Sequence, residues 1–363
     1  MNALTQDLVC EVKGNLGFVT LNRPRALNAL TLDMVRGLMT VLLAWRDDPQ
    51  VLAVAVRGSN KEGVFGAFCA GGDIRFLHQG GSTGDPRVED FFTEEYALNH
   101  LIHTYPKHYV AFMDGIVMGG GMGISQGAAL RLVTERTKLA MPETAIGLFP
   151  DVGGGYFLSR CPGHTGEWLA LTGETIGADE ALALGLADAR LELPALAPLW
   201  DELGSGRVKC SADIKNLIAT KYIASSAHEI SARAKIDHYF SMDSVSTIVG
   251  ALEASAGEWE AKTAATLRKR SPLMLHVVLE QIRRARTLSL ADDLRMERDM
   301  VRHCFHLRPG QSETLEGIRA LAVDKDHTPR WAPARIEDVT PEMVAQFFAS
   351  PWPAHAHPLA ALR

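Results

Sequence analysis

Val51-Leu52-Ala53-Val54-Ala55-Val56 is an apolar run without a polar break, preceded by Asp47-Asp48-Pro49-Gln50 and followed by Arg57-Gly58-Ser59-Asn60. A strand with one wet face alternates polar and apolar residues, so an unbroken run of this kind predicts a strand covered on both faces. Helical crossovers between parallel strands provide such cover. Upstream, Thr31 is placed to cap an amphipathic helix that carries Leu32, Val35, Leu38, Met39 and Leu42 at helical spacing and ends near Asp47-Asp48-Pro49. Still earlier, Leu8 to Val12 and Leu16 to Leu21 read as short strands joined through Lys13-Gly14-Asn15. Downstream the order recurs: a helix with Phe91, Phe92, Tyr96 and Leu101, a strand from Tyr109 to Met113, a glycine-rich turn, a short helix, then Arg131-Leu132-Val133-Thr134. This part of the chain is α/β.

Past Leu193 the texture changes to stretches rich in Ala, Glu, Lys, Arg and Leu, which read as helices. Ser271-Pro272-Leu273 opens one that runs to Arg286, with a capping serine and proline in the first turn. The chain therefore divides into 1–195, an α/β core carrying the site, and 196–363, a helical C-terminal region. Arg268-Lys269-Arg270 and Arg283-Arg284 offer charge for a phosphate, but solvated helix faces are the expected reading.

Composition excludes several classes. A chain of 363 residues has length for about two domains, and its 47% hydrophobic content supports a sizeable core. A net charge of −6 argues against nucleic-acid and anionic-membrane surfaces, which need clustered positive charge. Cys10, Cys69, Cys161, Cys210 and Cys304 are far apart and never spaced as CxxC, so a reducing, cytoplasmic setting is expected rather than a disulfide scaffold or zinc site. The start, Met1 to Asp7, lacks the basic and apolar regions of an export signal, and no apolar run reaches membrane-spanning length.

Three glycine-bearing segments carry chemistry. In Gly66-Ala67-Phe68-Cys69-Ala70-Gly71-Gly72-Asp73-Ile74-Arg75, paired glycines let the backbone approach a ligand with bare amides. Met113-Asp114-Gly115-Ile116-Val117-Met118-Gly119-Gly120-Gly121-Met122-Gly123 leaves a strand and opens a helix, whose first N–H groups favour developing negative charge. If the Gly72 and Gly120 amides converge, they make an oxyanion hole. The third segment, Met141-Pro142-Glu143-Thr144-Ala145-Ile146-Gly147-Leu148-Phe149-Pro150-Asp151-Val152-Gly153-Gly154-Gly155, sets two carboxylates in apolar surroundings. Burial makes a carboxylate a stronger base, so the pair suggests acid–base chemistry. Each acid also has a plain structural role open to it: Glu143 opening a loop, and Asp151 capping a helix that starts at Val152-Gly153.

At these segments the chain resembles the enoyl-CoA hydratase/isomerase (crotonase) superfamily. The likeness runs from Leu21-Asn22-Arg23-Pro24 through Leu171-Thr172-Gly173, returns at Glu316-Gly317-Ile318-Arg319-Ala320-Leu321, and covers nearly the whole chain. The segments Phe68 to Arg75 and Met141 to Gly155, with Asp324-Lys325-Asp326, Pro329 and Trp331, are similar to the subgroup that hydrolyses short 3-hydroxyacyl-CoA thioesters. The resemblance implies a spiral core of repeated ββα units, a helical C-terminal region and acyl-CoA substrates. It implies no separate cofactor, CoA being part of the substrate. It places oxyanion amides at Gly72 and Gly120, CoA contacts at Ala70, Gly72, Asp73 and Ile74, with Ala70 and Ile74 at the adenine end, the catalytic glutamate at Glu143, and substrate contacts at Glu95, Gly120, Glu143 and Asp151. Hydratases carry a second glutamate where this chain has Gly123, and a glycine where it has Asp151. One half of the hydration pair is thus missing, while Asp151, and Glu95 before Tyr96 at a substrate-contacting position of the hydrolase subgroup, both favour hydrolysis over hydration.

Other patterns weigh less. Gly123-Ile124-Ser125-Gln126-Gly127 fits a serine nucleophile elbow, but Ser125 lies past the strand end at Met113 and inside the expected helix. His100 with His103, and His303 with His306, have helix-face spacing without a third ligand, so no metal site is expected. Neither glycine segment is a P-loop or a dinucleotide fingerprint. A hydratase or isomerase of the same superfamily and a noncatalytic acyl-CoA binder remain the alternatives, and apolar helix faces allow a homo-oligomer.

Overall fold

The structure is a computed structural model describing residues 5–61, 65–221 and 230–363. Met1 to Leu4, part of the stretch read for an export signal, lie outside the described residues. In chain order the elements are β1 (Leu8–Lys13), β2 (Leu16–Leu21), α1 (Leu32–Asp47), β3 (Ala53–Gly58), α2 (Ile74–Thr83), α3 (Arg87–His103), β4 (His108–Met113), β5 (Ile116–Met118), α4 (Gly120–Gln126), β6 (Leu130–Thr134) and β7 (Lys138–Ala140). They continue with α5 (Gly154–Leu158), α6 (Thr165–Thr172), α7 (Ala178–Ala183), β8 (Ala189–Leu191), α8 (Leu193–Leu203), α9 (Ser211–Lys221), α10 (Arg233–Phe240), α11 (Val245–Glu253), α12 (Glu258–Lys269), α13 (Pro272–Ala285), α14 (Leu290–His306), α15 (Glu313–Ile318) and α16 (Pro341–Ala345), besides short 3₁₀ and π turns. Two compact units form, each gathered from separate stretches of chain.

The first unit comprises Met1–Gly72, Ala97–Ala140 and Thr175–Ile230. Its main sheet runs in the order β1-β2-β3-β4-β6-β8, with a second pair β5-β7. β1 lies antiparallel to β2, and every later pairing in both sheets is parallel, as the apolar run predicted. That run differs in its bounds, because the strand begins at Ala53 rather than Val51. Asp48 explains the delay: its carboxylate accepts from the Gln50 amide and its carbonyl from the Val51 amide, which folds those residues into a turn. The hairpin between β1 and β2 pairs Lys13 with Leu16, leaving Gly14-Asn15 as the loop with Gly14 at φ +57°. Thr31 caps α1 as expected, accepting from the Met34 amide at 3.2 Å. One face of the sheet packs on α8, where Trp200 meets Phe18 and Phe112 at ring separations of 4.7 and 5.3 Å.

The second unit comprises Asp73–Tyr96, Met141–Glu174 and Ser231–Arg363. It is helical, and Ser271 caps α13 through the Met274 amide at 3.2 Å, again as expected. The units interleave along the chain, whereas the division at residue 195 follows composition, the last strand ending at Leu191.

Candidate active site

In the first unit the two glycine segments are laced together by backbone. Ala70 N donates to Leu27 O and Leu30 N to Gly71 O, forming a parallel bridge between Leu30 and Gly72. Cys69 N donates to Ile116 O and Met118 N to Cys69 O, which joins the same segment to β5 and hence to the start of α4. Asn28 ties the entry to this lacing, its side-chain amide donating to the carbonyls of Ser59 and Ala67 at 3.0 and 2.7 Å. Approach is so close that a Cβ on Gly121 would lie 2.3 Å from Cys69 O. Gly71, at φ +105°, sits where a Cβ would stand 3.6 Å from Gly120 N. Gly119 precedes α4 at φ 49°, ψ −121° and has no side chain to cap it. Helix geometry leaves the Gly120 amide without an intrahelical acceptor. Gly72 and Gly120 are thus brought to neighbouring backbone, and bare N–H groups there suit an anionic oxygen.

In the second unit three acids converge. Glu143 begins a short 3₁₀ turn, Glu143–Ile146, closed by Gly147 in the left-handed conformation. That turn is held from below by the Ser271 amide donating to Thr144 O at 3.1 Å, and by Thr314 Oγ1 donating to Gly147 O at 2.6 Å. Asp151 lies beyond the turn, and Glu95 with Tyr96 comes from α3. Glu143 and Asp151 are each 6% exposed, Glu95 2% and Tyr96 0%. Glu143 Oε2 and Glu95 Oε1 are buried with no hydrogen-bond partner among the described residues. Burial, then repulsion from Asp151, drives the Glu143 carboxyl well above its ordinary range. Burial, then Asp151 and Glu143, does the same to Glu95. Asp151 is pushed to about 6 by burial, against the pull of the Tyr96 hydrogen bond. Unpartnered buried carboxyl oxygens of raised proton affinity are the groups that take a proton from, or accept a hydrogen bond from, a bound substrate.

Asp151 is not the helix cap that its position suggested. The helix starts later, at Gly154, with Gly153 at φ +85°, and its amides are taken by two acids from α14. Glu297 accepts from Gly153 N and Gly155 N at 2.7 and 2.9 Å, and Asp293 from Tyr156 N at 2.8 Å. The Asp151 carboxylate instead accepts from the Tyr96 hydroxyl at 2.9 Å. Tyr96, Glu297 and Asp293 carried no local signal in the sequence, because their partners are far away along the chain. Among the expected CoA contacts, Asp73 caps α2 through the Arg75 and Phe76 amides at 3.2 and 3.3 Å, while Ala70 and Ile74 are half-buried.

Ser125 lies within α4, buried, donating to Gly121 O at 2.8 Å, so it forms no nucleophile elbow. His306 pairs with Glu89 at 2.8 Å and His303 with Ala349 O at 2.7 Å. Among the described residues no group of three or more His, Cys, Asp or Glu side chains could hold a metal ion, no helix is long and apolar enough to cross a membrane, and no disulfide forms. Of the basic cluster, Arg268 pairs with Glu253 and Glu337 and Arg270 donates to Thr172 O.

Parallel strands with laced glycine segments in the first unit, and buried acids in the second, are each features of a crotonase-type acyl-CoA enzyme. The enoyl-CoA hydratase/isomerase family matches residues 16–348, and the chain belongs to that family. It is 37% identical over 348 residues to 3-hydroxyisobutyryl-CoA hydrolase, mitochondrial, of Gallus gallus, covering 94% of this chain and 88% of that protein. It is 38% identical over 360 residues to 3-hydroxyisobutyryl-CoA hydrolase 1 of Arabidopsis thaliana, covering 95% and 92%. Among solved structures, a carnitinyl-CoA dehydratase from Mycobacterium thermoresistibile superposes with TM-score 0.86 at 36% identity, covering 95% and 97%. An enoyl-CoA hydratase from Rhodobacter sphaeroides gives 0.84 at 35%, covering 95% and 98%. The crotonase-like α/β fold with its helical C-terminal region is therefore shown.

Proposed function

We propose that this protein hydrolyses a short-chain 3-hydroxyacyl-CoA thioester, 3-hydroxyisobutyryl-CoA being the substrate the named relatives support, to the hydroxy acid and CoA, a step that belongs to valine degradation. The observation that carries this reading is the grouping of Glu143, Asp151 and Glu95 as buried acids; the sequence adds that Gly123 stands at the position where the resemblance puts a hydratase's second acid. In the reaction, the Gly72 and Gly120 amides hold the thioester oxygen and draw charge from the carbonyl carbon. Glu143 then deprotonates a water that attacks, or attacks directly to give an anhydride that water opens. Asp151 accepts a hydrogen bond from the 3-hydroxyl and positions the departing CoA thiolate or gives it a proton, and Glu95 adds a further acceptor. Ala70, Gly72, Asp73 and Ile74 line the CoA moiety. No cofactor beyond the substrate's own CoA, no nucleic acid and no membrane enters this scheme, and assembly as a homo-oligomer is compatible with it. Cytoplasmic residence is proposed on the cysteine content alone.

A thiol-release assay over 3-hydroxyacyl-, enoyl- and saturated acyl-CoA esters, read beside absorbance for double-bond hydration, tests the reading. Thiol release greatest on the 3-hydroxyacyl esters is expected. Hydration of crotonyl-CoA without thiol release would mean a hydratase, and neither signal would mean a binder. Glu143→Gln should lower turnover by about 10²–10⁴-fold, the range of a lost acid–base group, while leaving CoA-ester affinity within a few-fold.

A further inference from the structure

Tyr96 takes no part in the chemistry above, yet its side chain is wholly buried and its hydroxyl donates to Asp151 Oδ2 at 2.9 Å. A buried phenol needs a partner, and a carboxylate acceptor makes the stronger, directional bond. Burial and the neighbouring Asp151 charge push the phenol's ionisation well above its ordinary value, so it remains a donor through the neutral range. Backbone on both sides of Asp151 is pinned as well. Gln281 Nε2 donates to Pro150 O at 2.7 Å and to Glu297 Oε1 at 3.2 Å. Glu297 in turn takes the Gly153 and Gly155 amides on its two oxygens. Its neighbour Arg298 reaches α3, donating to Thr93 Oγ1 at 2.9 Å and to Glu89. α14 therefore holds both the turn that bears Asp151 and the helix that bears Tyr96.

We propose that Tyr96 and Glu297 are positioning residues for Asp151: the phenol fixes one carboxylate oxygen, which sets the direction of the other, while Glu297 and Gln281 fix the backbone from Pro150 to Gly155. The inference rests on the proposed role of Asp151 toward the substrate hydroxyl. The titratable groups that face Asp151 are Glu95 and Tyr96 from α3, Glu143 from the preceding 3₁₀ turn, and Glu297 and Cys304 from α14. Behind Glu297 stands Asp293, which also feels Arg160.

Two measurements on the full chain decide it. Carboxyl carbon NMR of Asp151 in Tyr96→Phe reads the positioning bond without any substrate. Removing a donor to the charged form raises the Asp151 midpoint from about 6, by about one unit for an ordinary hydrogen bond to a charge. A midpoint that stays in place overturns the inference. In kinetics on a 3-hydroxyacyl-CoA, Tyr96→Phe and Glu297→Gln are each expected to lower kcat about tenfold, with KM changed less than about twofold. Neither should lower it further in an Asp151→Asn background, since residues acting through one group are not additive. Equal losses with and without Asp151 overturn the inference. Full activity of Asp151→Asn itself would instead remove the hydroxyl role assigned to Asp151, with the NMR shift still deciding whether Tyr96 sets that carboxylate. Tyr96→Phe keeps the ring packing, so it reports even if Glu297→Gln fails to fold.

Discussion

Asp151 shows what the site costs the fold. Its carboxyl is raised from 3.8 to about 6, chiefly by burial, so folding increases its proton affinity. The stabilisation this gives is fully present below the unfolded value and is lost as pH rises through the folded one. Between about pH 4 and pH 6 the protein therefore gives up stability at this residue, by up to about 3 kcal/mol for a shift of this size, less whatever relaxation and water entry recover. Asp151→Asn removes the charge while keeping the shape, so it should unfold at higher temperature than the parent at pH 7.5. At pH 5 the gain should shrink. Melting curves at the two pH values check this, and an equal gain at both would mean that ionisation is not the cause. The two carboxylates of the third motif were legible as residue types in apolar company. What Tyr96 and Glu297 do for one of them was not, because the Glu297 contact with Gly155 spans 142 positions.

At the level of elements, local signals served where the partner lies within a turn. Thr31 and Ser271 cap the helices that follow them, as read from serine or threonine ahead of an apolar repeat. Ser271 does more than the pattern shows, since its hydroxyl also donates to the buried Glu313 at 2.5 Å and its amide supports the Glu143 turn. Ser271→Ala should cost about 1 kcal/mol for the cap and about 1–3 kcal/mol for the carboxyl left without its donor, measured by urea denaturation. Loss of only the first amount would mean that Glu313 finds another partner. The α4 start makes a sharper case. With a Cβ at Gly121 set 2.3 Å from Cys69 O, Gly121→Ala must push the laced segments apart. It should destabilise by about 1–3 kcal/mol and lower turnover more than Glu95→Gln does. Asp151 was misplaced as a cap because two acids from α14 compete for the same amides, and an amide accepts whichever carboxylate the packing delivers.

For the whole molecule, the division at residue 195 marks where strands end, while the compact units draw on interleaved stretches. The helical unit needs Asp73–Tyr96, Met141–Glu174 and Ser231–Arg363 together. A fragment of residues 1–195 would lack the last of these and leave the apolar faces around the Glu143 and Asp151 turns uncovered. It should show no cooperative thermal transition by circular dichroism, and a sharp transition would show that the α/β part stands alone. The unbroken Val51 to Val56 run determined a doubly covered parallel strand, because burial on both faces dictates composition. The glycine and acid motifs likewise determined the kind of chemistry, because bare amides and buried carboxylates each have few uses. Only the tertiary structure decided which acids remain without partners, which amides Glu297 takes and where Tyr96 points. Those are contacts between segments far apart along the chain, and no local pattern of residues encodes the distance between them.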